Sequence, residues 1–247
     1  MLLKGKNAVI TGCSRGIGKN ILEIFSENGA NVLACIRTLD DSYRSYLKDL
    51  EKKFNNKIIP IQFDLTNDTQ IKDAANNILS SGLEVDILVN NAALIHTSLF
   101  QMTTLKKIKE IFEVNFFSQT IFTQYILKSM IKNKNGSIVY IASSSALDGN
   151  LGRSAYSASK AATIAQAHTL SRELGIYNIR VNSIAPGLTN TDMMKKNHKE
   201  DKLKEVISQT SLKRIADPKE IANIVLLLSS DLTSYITGQT IRADGGM

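Results

Sequence analysis

Short β-branched runs alternate with longer segments of helical period along almost the whole chain, and this rhythm limits the possible folds more than any other feature. Strands are expected at residues 7–11, 31–36, 57–62, 87–90, 137–141, 179–184 and 240–242, with helices between them at 17–28, 41–54, 68–81, 105–132, 155–174 and 218–228. Parallel neighbours need a crossover of about a dozen residues or more, and the helical segments supply them. Ile87-Leu88-Val89 is continuously apolar, as suits a strand covered on both faces. Asp68 and Asp217 stand where an N-cap is wanted, and Gly29 and Gly175 where a helix should stop. The fold class that follows is α/β: one Rossmann-like domain over residues 1–247, a doubly wound parallel sheet flanked by helices, with a nucleotide-binding amino-terminal half. Residues 189–212, between the sixth strand and the last helix, are expected to form a mobile segment over the substrate.

Composition removes several classes of function. With 43% hydrophobic and 21% charged residues the chain can bury a sizeable core, and no segment is polar enough to stay unfolded. The net charge of +7 raises nucleic acid and membrane surfaces as partners. Its lysines are scattered among acids, and no basic stretch is interleaved with aromatics, so neither partner is expected. The densest cluster, 195–204, reads as a solvated helix face. The amino terminus lacks an h-region and the longest aliphatic stretches fall far short of a membrane span, so the expected location is cytoplasmic. Cys13 and Cys35 have no CxxC partner, and His96, His168 and His198 no ligand spacing, so no metal is expected. His96 follows the fourth strand closely enough to be a candidate for the cleft wall.

The first strand runs directly into Thr11-Gly12-Cys13-Ser14-Arg15-Gly16-Ile17-Gly18, after which a helix begins. Glycines here let the backbone turn tightly and approach a pyrophosphate, whose charge the helix N-terminus holds. Which nucleotide is bound is read at the end of strand two, where an acid suits a ribose 2′-OH and a cation a 2′-phosphate. That strand ends in Ile36-Arg37, and Arg15 supplies a second guanidinium. Asp40 and Asp41 lie further on, where helix capping accounts for them. NADP(H) is the expected cofactor.

Tyr156-Ser157-Ala158-Ser159-Lys160 opens an apolar-periodic helix and places a phenol and an ammonium one turn apart on one face. A nearby cation favours the phenolate and would bring the Tyr156 hydroxyl toward proton exchange near neutral pH.

With the glycine loop, this motif makes the chain resemble the short-chain dehydrogenase/reductase family, closest to its 3-oxoacyl-acyl-carrier-protein reductase branch. The resemblance covers essentially the whole chain and adds Asp64-Leu65 after strand three, Asn90-Asn91-Ala92-Ala93 after strand four, and Asn115 in the following helix. Ser143 stands thirteen residues before Tyr156, Pro186-Gly187 and Thr191 follow strand six, and the chain closes in Asp244-Gly245-Gly246-Met247.

The resemblance implies an NADPH-dependent carbonyl reductase. Tyr156 would be its general acid and Ser143 would hold the carbonyl oxygen. Lys160 would bind the nicotinamide ribose and lower the Tyr156 pKa, and Asn115 would position a water in the proton relay. Cofactor contacts are implied for Thr11, Gly12, Ser14, Arg15, Gly16, Ile17, Gly18, Arg37, Asp64, Leu65, Asn91, Ala92, Tyr156, Lys160, Pro186, Gly187 and Thr191. Ser144 and Ser145 stay open as alternatives to Ser143, because three serines run together. The chain departs from the family at Ala93, where a glycine is usual, and at Tyr177, where a second basic residue would join Lys134 in docking a carrier protein.

The implied substrate is a 3-oxoacyl thioester carried on acyl carrier protein; the alternatives are a sugar-nucleotide intermediate, a small ketone or an imine. A non-catalytic nucleotide sensor is the rival from another class. The resemblance also implies a homotetramer built on helices 105–132 and 155–174. Ala158, Ala161, Ala162, Ile164, Ala165 and Ala167 fit that expectation, being more small and apolar residues than one buried stripe needs.

Overall fold

The computed structural model describes residues 1–197 and 200–247; the reading of His198 falls outside them, and that of the 195–204 lysine cluster falls partly outside. Seven parallel strands form one sheet in the order β3-β2-β1-β4-β5-β6-β7. They are β1 (Asn7–Thr11), β2 (Asn31–Ile36), β3 (Ile58–Gln62), β4 (Ile87–Asn90), β5 (Gly136–Ile141), β6 (Ile179–Pro186) and β7 (Thr240–Ala243). β4 is buried at every position, which explains its unbroken apolar run. Pro60 lies in edge strand β3, where a missing N–H leaves no ladder bond unmade toward a further neighbour.

One core lies on the face covered by α1 (Gly16–Glu27), α2 (Asp41–Phe54) and α10 (Pro218–Ser229). The other lies under α3 (Asp68–Ser80), α5 (Ser118–Asn133) and α7 (Ser154–Leu174). The chain winds outward in both directions from β1 and β4, which pair with each other through Ile10 and Val89. This reversal of strand order opens a crevice at the carboxyl ends of the strands, where ligands bind in doubly wound sheets.

Of the cap and stop residues expected, one needs correction. The N-cap of α3 is Asn67, whose side chain accepts from the Gln70 N–H; Asp68 is the first helical residue, where its charge still favours the helix N-terminus. Asp217 does cap α10, in a reciprocal pair with Glu220. α7 does end at Gly175, though without a left-handed turn. The Gly175 backbone stays right-handed, the chain tightens into a 3-10 turn over Gly175–Tyr177, and Asn178 takes the positive φ of 57°.

The largest correction concerns the helix expected over 105–132. It is α4 (Leu105–Phe112) joined to α5 by a π turn over Glu113–Phe117. A π turn opens the backbone ladder by one residue, and here it seats Asn115 in the interior. The stretch 189–212 carries α8 (Asp192–Asn197) and α9 (Glu200–Gln209), beyond the short α6 (Ser145–Asp148) that follows β5.

Candidate active site

A cavity of about 670 Å³ occupies the crevice between β1 and β4. Its floor begins with the glycine loop. Gly12 has φ 73°, and a Cβ on Gly18 would stand 2.2 Å from the Gly12 carbonyl oxygen. The loop and the first turn of α1 therefore touch backbone to backbone, a contact that no side chain permits. Thr11 ties this loop to the end of β4: its hydroxyl accepts from the N–H groups of Asn91 (2.9 Å) and Ala92 (3.0 Å). The Asn91 amide returns bonds to the carbonyls of Thr11 and Gly12.

At the nucleotide end, Arg15 and Arg37 both line the cavity. Asp40 lines it too, but its carboxylate caps α2 by accepting from the Tyr43 N–H and the Ser42 hydroxyl. Those bonds hold its pKa below the usual range. Asp64 is likewise engaged, accepting from both the N–H and the hydroxyl of Thr66 at 2.8 Å. The Arg37 charge helps to keep it ionised. The acids are held by their own turns, which leaves the two guanidiniums as the groups suited to a phosphate. This donor set, with the backbone cradle at Gly18, fits a phosphorylated dinucleotide.

At the other end, α7 delivers Tyr156 and Lys160 to the cavity, and the chain leaving β5 delivers Ser143. Of the three consecutive serines, Ser143 lines the cavity and hydrogen-bonds the Tyr156 phenol. Ser145 instead pairs with Asn150. Asp148 on α6 is clamped by both terminal nitrogens of Arg242, at 2.9 and 2.7 Å, which fastens the serine-bearing segment to β7.

The electrostatics of Tyr156 differ from the expectation. The phenol is 7% exposed, and burial raises its pKa above the ordinary value; the Ser143 hydrogen bond and the Arg153 charge pull it back down. The Lys160 ammonium, 1% exposed, donates to the Ile141 carbonyl at 2.6 Å. Desolvation brings Lys160 down to about 8.

Asn115 does not line the cavity but stands behind its wall. Its Oδ1 accepts from the Leu94 N–H at 2.7 Å, and its Nδ2 donates to the Leu94 carbonyl and to Ser159. Both amide donors are occupied, so the side chain clamps the segment after β4 onto α7. All the residues expected to contact the cofactor line the cavity. His96 does not; Leu94 and Ile95 line it in its place, and His96 lies within electrostatic range of Glu110. Sequence reasoning missed Arg153, Leu188, Met193 and Met194, which complete the substrate end. No spacing rule marks such wall residues; only the Tyr156 motif, three positions on, hints at Arg153.

Comparison with known proteins agrees with this geometry. The model of a family described as Enoyl-(Acyl carrier protein) reductase matches residues 12–247. The 3-oxoacyl-acyl-carrier-protein reductase FabG of Thermotoga maritima is 36% identical over 255 residues, covering 100% of this chain and 99% of that protein. A chain named as an NAD(P)-dependent gluconate 5-dehydrogenase from Beutenbergia cavernae, solved with NADP at low occupancy, superposes with a TM-score of 0.92 at 29% identity. That likeness covers 98% of this chain and 96% of the other. A 7α-hydroxysteroid dehydrogenase solved with NADH and a 7-oxo bile acid gives 0.91 at 32% identity, over 99% and 94% of the two chains.

Proposed function

The chain belongs to the short-chain dehydrogenase/reductase family, and from that premise we propose that it is an NADPH-dependent ketoreductase of 3-oxoacyl thioesters carried on acyl carrier protein. The observation that carries this reading is one cavity with a glycine loop and two guanidiniums at one end and Tyr156 beside Ser143 at the other. The cofactor would be held by the loop 11–18, by Arg37, by the Asn91–Ala92 turn and by Lys160; when bound, NADPH supplies the hydride. Tyr156 donates its phenolic proton to the carbonyl oxygen, and Ser143 donates a hydrogen bond to the same atom. Asn115 acts as a positioning residue by holding Leu94 and Ser159 in register. Among the described residues no helix is long and apolar enough to cross a membrane.

The test is a panel of NADPH oxidation with acetoacetyl thioesters, a sugar-nucleotide ketone and simple ketones. Fast turnover confined to the thioesters is expected, and turnover confined to another class would overturn the substrate. The panel also carries the cofactor prediction. Arg37→Asp puts a carboxylate beside a 2′-phosphate and should reverse a preference for NADPH over NADH. Equal affinities for the two nucleotides in the parent, by fluorescence titration, would count against Arg37 as the discriminating residue.

The assembly proposed is a homotetramer. Ala158 and Ala165 are exposed on α7 and Ala161 and Ala162 are half-buried, so a face of small residues lies open beside the chain's own core. Ala167 lies in that core at 2% exposure, so a charge there would test folding and not assembly. Ala165→Glu should therefore shift light scattering from tetramer toward smaller species without lowering the melting temperature of the isolated subunit. A parent protein that scatters as a 27.2 kDa monomer at micromolar concentration would sink this reading.

A further inference from the structure

We propose that Tyr43 is a positioning residue for the cofactor: its hydroxyl holds the Cys13 carbonyl so that the Ser14 N–H of the same peptide faces the nucleotide's phosphates. This role rests on the NADPH reading of the cavity. Tyr43 lies in the first turn of α2, and its hydroxyl donates to the Cys13 carbonyl, 30 positions away in the glycine loop, at 2.7 Å. Neither Cys13 nor Tyr43 lines the cavity, whereas Ser14 and Arg15 do, so α2 draws this carbonyl to the outer side of the loop. The peptide is trans, and in a trans peptide the C=O and the N–H point in opposite directions. The Ser14 N–H is therefore turned back toward the cavity. Among the described residues no acceptor takes it, and it stands as a backbone donor at the phosphate end.

The other restraints on the loop do not set this peptide. The N–H groups of Gly12 and Cys13 both bond the Cys35 carbonyl, at 2.9 and 3.4 Å, and the Cys13 side chain is buried in the core. Those contacts hold the chain as far as Cys13, and α1 takes over at Gly16. Between them the Cys13–Ser14 peptide is free to turn about the single bonds on either side of it. Among the described residues the Tyr43 hydroxyl is the only donor to its carbonyl. The Tyr43 ring packs on the core beside Tyr46, with ring centroids 5.4 Å apart, which aims the hydroxyl. Burial raises the Tyr43 pKa, so the phenol keeps its proton and stays a donor. The Tyr43 N–H meanwhile donates to Asp40, on the cavity-lining turn that carries Arg37. One residue thus joins the turn presenting Arg37 to the loop presenting Arg15, and fixes the two sides of the phosphate seat relative to each other.

Fluorescence titration of the full chain with NADPH and with NADH tests this role without any substrate, and so independently of the thioester reading. Tyr43→Phe keeps the ring and removes the donor. NADPH affinity should fall about tenfold, the scale of one hydrogen bond to a charged group. A loss confined to NADPH would place the Ser14 N–H on the 2′-phosphate, and an equal loss with both nucleotides would place it on the pyrophosphate. Tyr46→Phe is the matched control, because that hydroxyl donates at 2.6 Å to Glu23 on α1 and does not touch the loop. It should lower the melting temperature about as much as Tyr43→Phe does, with both affinities near the parent values. In thioester reduction the Tyr43→Phe loss should appear in the KM for NADPH and not in kcat. Parent-like NADPH affinity in Tyr43→Phe would overturn the proposal. So would an equal loss in Tyr46→Phe, because the effect would then belong to the packing of α2. A parent protein that binds neither nucleotide would overturn the cofactor reading and this role with it.

Discussion

Replacing Tyr156 with Phe is expected to lower turnover by about a hundredfold or more while NADPH still binds. The ring sits at 7% exposure, and Phe refills its volume, so the cavity and α7 should keep their shape. What disappears is the hydroxyl that shares a hydrogen bond with Ser143 and is aimed at the substrate end of the cavity. The carbonyl oxygen then has to take its proton from water or from a serine that is a far weaker acid. Steady-state rates on an acetoacetyl thioester, with nucleotide binding followed by fluorescence, check both halves. A Tyr156→Phe enzyme within tenfold of the parent rate would show that the proton comes from elsewhere. The Lys160→Ala change should be broader, because it removes the ammonium that braces the chain end of β5 at Ile141 as well as the group assigned to the cofactor ribose.

Gly18→Ala is the second change of large effect, and here the damage is steric. The new methyl would lie 2.2 Å from the Gly12 carbonyl oxygen and 2.4 Å from Nδ2 of Asn91, the atom that bonds the same carbonyl at 3.1 Å. The Gly12 oxygen is backbone and the Asn91 amide is pinned by its bonds to the Thr11 and Gly12 carbonyls, so the loop must separate from α1 and from the turn after β4. A displacement of about 1 Å in such a cradle is worth about a hundredfold in function, and NADPH affinity should fall by that order. Overpacking should also cost about 1–3 kcal/mol of stability. Gly175→Ala is the matched control. That glycine has right-handed backbone and nothing within 4 Å of its absent Cβ, so both affinity and melting temperature should stay near the parent values. Unchanged NADPH titration in Gly18→Ala would mean the loop is not the nucleotide cradle.

The strands were legible because a sheet covered on both faces demands apolar β-branched runs, and five of the helices because an apolar face of helical period packs on it. The same logic found the crevice: once a glycine trio follows the first strand, the place where strand order reverses is where a nucleotide fits. Asp40 was also readable as a cap, since an acid directly before a helix has a local partner waiting in the N–H of Tyr43.

The remaining features depend on contacts between distant segments, and no local pattern encodes them. The π turn at Glu113–Phe117 exists because Asn115 reaches Leu94 and Ser159, 21 and 44 positions away; periodicity alone reads straight through it. Whether Ser143 or a neighbouring serine faces the phenol is set by how the segment after β5 is pinned by Arg242, 94 residues from Asp148. The Tyr156 and Lys160 spacing guaranteed a shared helix face, but not which cation would act on the phenol. Packing adds Arg153, whose charge lowers the Tyr156 pKa, and brings the Ile141 carbonyl under the Lys160 ammonium. Spacing along one element fixes which side chains share a face, whereas the partner each one takes depends on the burial and geometry that only packed elements create.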